Sequence, residues 1–224
     1  MRTGLRRFAT PAPPAAEQPE QQEPPAPGER CEMCAEPIGP EHGPGSGHAH
    51  VVDVQTRALK CTCRPCYLLF GPEGAGGGRF RAVPERYRYA PSVPLAAATW
   101  ESIGIPVRMA FFFTNSAMEE TVAFYPSPAG ATESLLPLDA WSELLDATPA
   151  VADLTPDVEA LLVNKTDDGG FECFLVPIDA CYQLVGLVRT YWKGFDGGEE
   201  AWTAIDGFFN DLRGFSEQVE VRDD

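Results

Sequence analysis

The chain has 224 residues, 44% of them hydrophobic, and a net charge of −16, which is enough for one ordinary domain beside a small module. No stretch approaches the roughly 18–20 apolar residues of a membrane span. From residue 91 onward six Lys/Arg stand against 23 Asp/Glu, a balance that repels phosphates and argues against nucleic acid as the main partner.

Residues 1–29 are rich in Pro, Gln, Glu and Ala. They cannot bury a core and are expected to form a disordered arm. Arg6 and Arg7 are followed by no apolar run of the kind an export signal needs, so a cytoplasmic protein is expected. In that compartment clustered thiols stay reduced and bind metal instead of forming disulfides.

Five cysteines fall within residues 31–66, as Cys31-x2-Cys34 and Cys61-x-Cys63-x2-Cys66. Thiol pairs at x2 spacing form tight turns, and two such turns can set four sulfurs around one tetrahedral ion. The matched spacing selects Cys31, Cys34, Cys63 and Cys66 as ligands of a structural Zn2+ in a zinc-ribbon-like module over 30–70. Cys61 is expected on the opposite strand face from Cys63, which leaves it a buried spare or an alternative ligand. His48 and His50, in the loop between the cysteine pairs, are further alternates. Iron is the other metal for such a site. Rubredoxin knuckles usually place Gly after the second cysteine, whereas Ala35 and Tyr67 stand there in this chain, so zinc is favoured. His50-Val51-Val52-Asp53 also resembles a strand of the zinc-held His-Asn-His nuclease modules. Val54 occupies the place of their catalytic histidine, which removes that activity.

Residues 57–88 carry Arg57, Lys60, Arg64, Arg79, Arg81, Arg86 and Arg88 against Glu73 and Glu85. The plain reading is solvated surface attracted to the acidic half of the same molecule. Sharper alternatives are a partner-docking patch that includes Arg79 and Arg81, or a nucleic-acid-binding zinc ribbon. Gly74 and Gly76–Gly78 mark 71–90 as a flexible hinge. The glycine run lacks the Gly-Lys-Ser/Thr ending of a phosphate-cradling loop.

An acidic domain is expected over 91–216, followed by an acidic tail at 217–224. Residues 95–103 read as a short helix. The β-prone runs 107–114 and 121–125 form one hairpin, and 159–164 and 171–176 form a second across KTDDGG. Residues 138–147 are helical, with Pro137 suited to a first turn. Asp179 is placed to cap a helix whose Cys181, Leu184, Val185, Val188 and Trp192 share a face. The last helix follows Gly197-Gly198, carries Glu199 and Glu200 in its first turn, and presents Trp202, Ile205, Phe208, Phe209 and Leu212 on one side. Two β-hairpins covered on one face by helices make an α+β fold.

Ser127, Thr132, Ser134, Cys173 and Cys181 are conceivable nucleophiles, but no histidine lies in their domain to activate them. Cys173 and Cys181 fall among apolar neighbours and read as core thiols. Residues 125–134 form a loop of Pro, Gly and small polar residues between a strand and a helix. Tyr125, Ser127, Gly130, Thr132 and Glu133 make it a candidate partner-binding surface, with a stiff Pro-shaped connection as the plain alternative.

Taken together, the Cys-x2-Cys pair, CTCRPCYLLF (61–70), FYPSPAGATESLL (124–136), PDVEALLVN (156–164), VPIDACYQLVGLVRTYWKG (176–194) and the helix around 202–209 are distinctive. Over about 30–215 they resemble a family of bacterial proteins of unknown function encoded beside a high-affinity, hydrogen-oxidising NiFe hydrogenase. The resemblance implies a non-catalytic accessory role in assembly, maturation or electron coupling of that enzyme. A hydrogenase subunit or maturation factor is the implied partner. It supplies no reaction. With iron at the same cysteines, the implied role becomes that of a rubredoxin-like electron carrier.

Overall fold

The computed structural model describes residues 30–39, 47–72, 74–102, 104–134, 151 and 153–219. The arm expected over 1–29, the helix expected over 138–147 and residues 220–224 of the expected tail lie outside the described residues.

Strands β1 (His48–Asp53), β2 (Ala58–Cys63) and β3 (Phe80–Ala82) form an antiparallel sheet in the order β2-β1-β3. Asp53 shapes the β1–β2 turn by accepting the backbone N–H groups of Gln55 and Thr56 at 3.1 and 3.2 Å. Helix α1 (Arg64–Phe70) follows β2 without a break, with Cys63 at its N-cap and a proline in its first turn. Pro65 lacks only an N–H that a first turn does not need.

A second sheet has seven strands in the order β10-β4-β9-β8-β5-β6-β7. These are β4 (Arg88–Ala90), β5 (Met109–Asn115), β6 (Glu120–Ser127), β7 (Gly130–Ser134), β8 (Glu159–Lys165), β9 (Phe171–Pro177) and β10 (Glu217–Gln218). The fold is α+β, and both expected hairpins are present as β5-β6 and β8-β9. Both faces of this sheet are covered, which is why its central strands are apolar almost throughout. Met109, Phe111, Ala160, Leu162, Phe174 and Val176 pack with helices α3 (Ile178–Tyr191) and α4 (Gly198–Phe215). Their neighbours Ala110, Phe112, Leu161, Val163, Cys173 and Leu175 point the other way, onto Val93, Ile105, Val151 and Trp100 of α2 (Ala97–Ser102). The apolar stripes read along α3 and α4 are the buried ones.

The structure corrects the sequence reading of the fold in several places. Residues 125–134 are not a loop but the hairpin β6-β7, closed where Ser127 pairs with Gly130. The Ser127 hydroxyl holds that turn by donating to Gly130 O at 3.0 Å. Within the stretch marked as a hinge, Gly76 and Gly77 do take left-handed φ angles of 60° and 72°. Beyond them β3 joins β1 and β4 joins β9, so this stretch stitches the two sheets together. Val52 of β1 and Val83, just past β3, share one core with Val158, just before β8, and Ile178, the first residue of α3. Asp179 does not cap α3, because the helix starts at Ile178 and Asp179 already lies in its first turn. Glu217 and Gln218, at the start of the expected tail, run parallel to β4 as β10.

Candidate metal centre

The Sγ atoms of Cys31, Cys34, Cys63 and Cys66 all lie within 4.8 Å of one another, with Cys34 and Cys63 at 3.6 Å. A tetrahedral ion with metal–sulfur bonds of about 2.3 Å sets its sulfurs ~3.8 Å apart, so the donor set fits such an ion. Each half is built by local chain geometry. In the first, the N–H of Ala35 donates to Cys31 O at 2.8 Å and that of Cys31 to Glu36 O at 2.8 Å. This turn needs a left-handed residue, and Ala35 supplies it with φ 63° where a glycine is usual. In the second half, Cys63 ends β2 as the N-cap of α1 and Cys66 sits in its first turn. The knuckle docks on β2 through two bonds: Glu32 N–H to Cys61 O at 2.9 Å and Cys61 N–H to the Glu32 carboxylate at 2.7 Å.

The sulfurs differ electrostatically. Burial opposes ionisation of Cys31, yet the backbone N–H groups of Cys63, Met33 and Cys34 outweigh it and bring its pKa down to about 7. Burial and the neighbouring sulfurs push the Cys63 and Cys66 thiols up. Four thiolates this close would repel one another, and a cation bound among them would hold them deprotonated together.

Cys61 shares a face with Cys63, contrary to expectation, because residues two apart along a strand point the same way. What separates it from the four-sulfur group is its place one pleat further along β2, opposite His50; His48 stands opposite Cys63. His48, His50 and Cys61 therefore form a second group of ligand atoms, again within 4.8 Å of one another. Both imidazoles are buried. His50 Nδ1 lies 2.7 Å from Asp179 Oδ2. Burial disfavours charge on His50, but Asp179 and Cys61 outweigh it and raise its pKa to about 9.

Residues 30–216 match the profile of a family of unknown function, DUF5947. The chain belongs to that family. No curated protein and no solved structure matches it.

In this DUF5947 chain the remaining site candidates are tied to the fold. Arg79 donates twice to Asp53, at 2.6 and 3.0 Å, and Arg81 pairs with Asp157 at 3.0 Å. Arg64 meets Glu85, Arg86 meets Glu159 and Arg88 meets Glu217. Most of these pairs run from the basic stretch to acidic residues of the larger sheet region, which is the internal attraction the plain reading expects. Of the 125–134 candidates, Tyr125 is half-buried against the core and Ser127 bonds Thr132 at 2.9 Å. Glu133 is exposed and borders a cavity of about 410 Å3 with Arg57, Met118 and Asp157. Asp179 is the residue that sequence reasoning missed in this region. Its carboxylate works 129 positions away, and no local spacing signals that. No described helix is long and apolar enough to cross a membrane.

Proposed function

We propose that this DUF5947 chain is a non-catalytic, zinc-binding accessory protein that supports assembly, maturation or electron coupling of a NiFe hydrogenase. The zinc part rests on the four cysteine sulfurs gathered within 4.8 Å. The hydrogenase part rests on the motif likeness described above, and names a hydrogenase subunit or a maturation factor as partner. Cys173 and Cys181 support the non-catalytic reading: both are fully buried, and burial drives both thiols up, away from the reactive thiolate. The reading places the protein in the cytoplasm, where clustered thiols stay reduced. The hairpin β6-β7 is the surface offered to the partner, chiefly through exposed Glu133.

Deleting the gene is expected to lower assembled hydrogenase, or its coupling to electron acceptors, while transcripts of both subunits persist. Normal hydrogen uptake and subunit processing in the deletion strain reject the assignment. One observation favours a second reading, a rubredoxin-like iron carrier: Ala35 makes the knuckle turn without glycine and Cys31 receives backbone N–H bonds. A red protein with visible charge-transfer bands selects iron, and a colourless zinc protein selects the first reading.

A further inference from the structure

We infer that His48, His50 and Cys61 form a second metal site beside the four-cysteine centre, binding a divalent ion such as Zn2+ through two imidazoles and one thiolate. It stands independently of the hydrogenase reading.

The strand register builds the site. His48 and His50 share a face of β1, Cys61 lies directly across from His50, and the ligand atoms of all three fall within 4.8 Å. The imidazole rings sit 4.8 Å apart at a 49° tilt. Histidines of a solvated loop would have no such constraint, and these two are buried.

Outer contacts orient the rings as a metal requires. His48 Nδ1 is 3.0 Å from the carbonyl oxygen of Gly39. A carbonyl only accepts, so Nδ1 carries the hydrogen and, in the neutral ring, Nε2 carries the lone pair. His50 Nδ1 meets Asp179 Oδ2 at 2.7 Å, the carboxylate–histidine arrangement that fixes a ligating tautomer and raises its basicity. The other oxygen, Asp179 Oδ1, is buried and has no hydrogen-bond partner among the described residues. A dication beyond His50 compensates that half-satisfied carboxylate.

Two nitrogens and a sulfur suit zinc and its borderline neighbours. Three protein ligands also leave a fourth position open. His48 and His50 form part of the wall of a cavity of about 450 Å3, together with Tyr67, Glu85, Tyr87 and Asp179. That cavity borders two of the three ligands, and water is the simplest occupant of the open position. Cys61 and Cys63 are two residues apart on β2, so the two centres are neighbours, with these sulfur-bearing residues roughly 7 Å apart along the strand. Without a second ion, the same contacts describe a protonated His50 paired with Asp179.

The test uses the full chain equilibrated with excess Zn2+ and then freed of unbound metal. Wild type is expected to hold about two ions per chain. His50→Asn, which keeps an N–H for Asp179 but removes Nε2, and Cys61→Ser are each expected to hold about one. In Co2+-loaded samples of both variants the four-thiolate charge-transfer bands persist, which reports an intact fold and first centre. One ion per wild-type chain in excess zinc overturns the proposal, as does undiminished binding in both variants. Nitrogen-15 shifts that show His50 as an imidazolium in the zinc-loaded chain overturn it as well.

Discussion

His50 on β1 meets Asp179 in the first turn of α3 at 2.7 Å, across 129 positions of sequence. This contact and the shared core around Val52, Val83, Val158 and Ile178 join the β1-β2 hairpin, which carries Cys63, to the larger sheet region. Loss of metal is therefore felt beyond residues 30–70. Strong chelation, or Cys31→Ser or Cys66→Ser, is expected to lower the unfolding temperature of the whole chain in one transition. Circular dichroism and tryptophan fluorescence should shift together. A hairpin that melts alone while the tryptophan signal keeps its midpoint contradicts this coupling.

Phe174 is fully buried, stacked on Tyr89 at 4.7 Å and tilted against Phe209 at 5.8 Å. It links β4, β9 and α4. Phe174→Ala leaves a cavity that these elements cannot collapse to fill, at a cost of about 3–5 kcal/mol. Denaturant titration reads this as a lower midpoint, and a loss below about 1 kcal/mol contradicts the packing described.

Glu159 sets an acid limit on stability. Burial pushes its pKa up, but Arg86, bound at 2.6 and 2.8 Å, and the Thr155 N–H at 2.8 Å outweigh this and hold it below its ordinary 4.5. Because the folded value is the lower one, the contribution is full above the unfolded value and is lost as pH falls through the folded value. Glu159→Gln should flatten that part of the acid limb. At neutral pH it should cost about 2 kcal/mol, less than a fully buried pair because Arg86 is 34% exposed. Parallel pH–stability curves for wild type and variant contradict this role.

Gly197 precedes α4 with φ 91°, and a Cβ built there lies 3.0 Å from the ring of Trp192. Gly197→Ala therefore meets both backbone strain and a rigid indole, and is expected to cost about 1–3 kcal/mol. An unchanged denaturation midpoint contradicts the placement of Trp192 over this turn.

The parts legible in the sequence were those with strong local signals. The cysteine spacing, the apolar runs FFF, ALLV and FECFLV, and the periodic stripe from Cys181 to Val188 each reflect one element's own geometry. The parts that were not legible depend on distant partners. β3, β4 and β10 are short and rich in Arg, Tyr and Glu, so only pairing with β1, β9 and β4 makes them strands. Strand β7 (GATES) has little intrinsic β signal and follows from the Ser127 turn. The buried carboxylate of Glu172 reads as a surface charge until Arg213, Asn164 and Tyr89 converge on it from α4, β8 and β4. Cys61 falls on the same face as Cys63, because residues two apart along a strand point the same way, and its neighbours His48 and His50 come from the paired strand.

X-ray absorption at the zinc edge of the Cys61→Ser chain tests the four-thiolate centre most directly, because this variant keeps the four expected ligands and removes the neighbouring thiol. One zinc with about four sulfurs at ~2.3 Å, absent from the Cys31→Ser chain, is the expected result. Iron in place of zinc, nitrogen or oxygen replacing a sulfur, or full zinc binding by Cys31→Ser contradicts it.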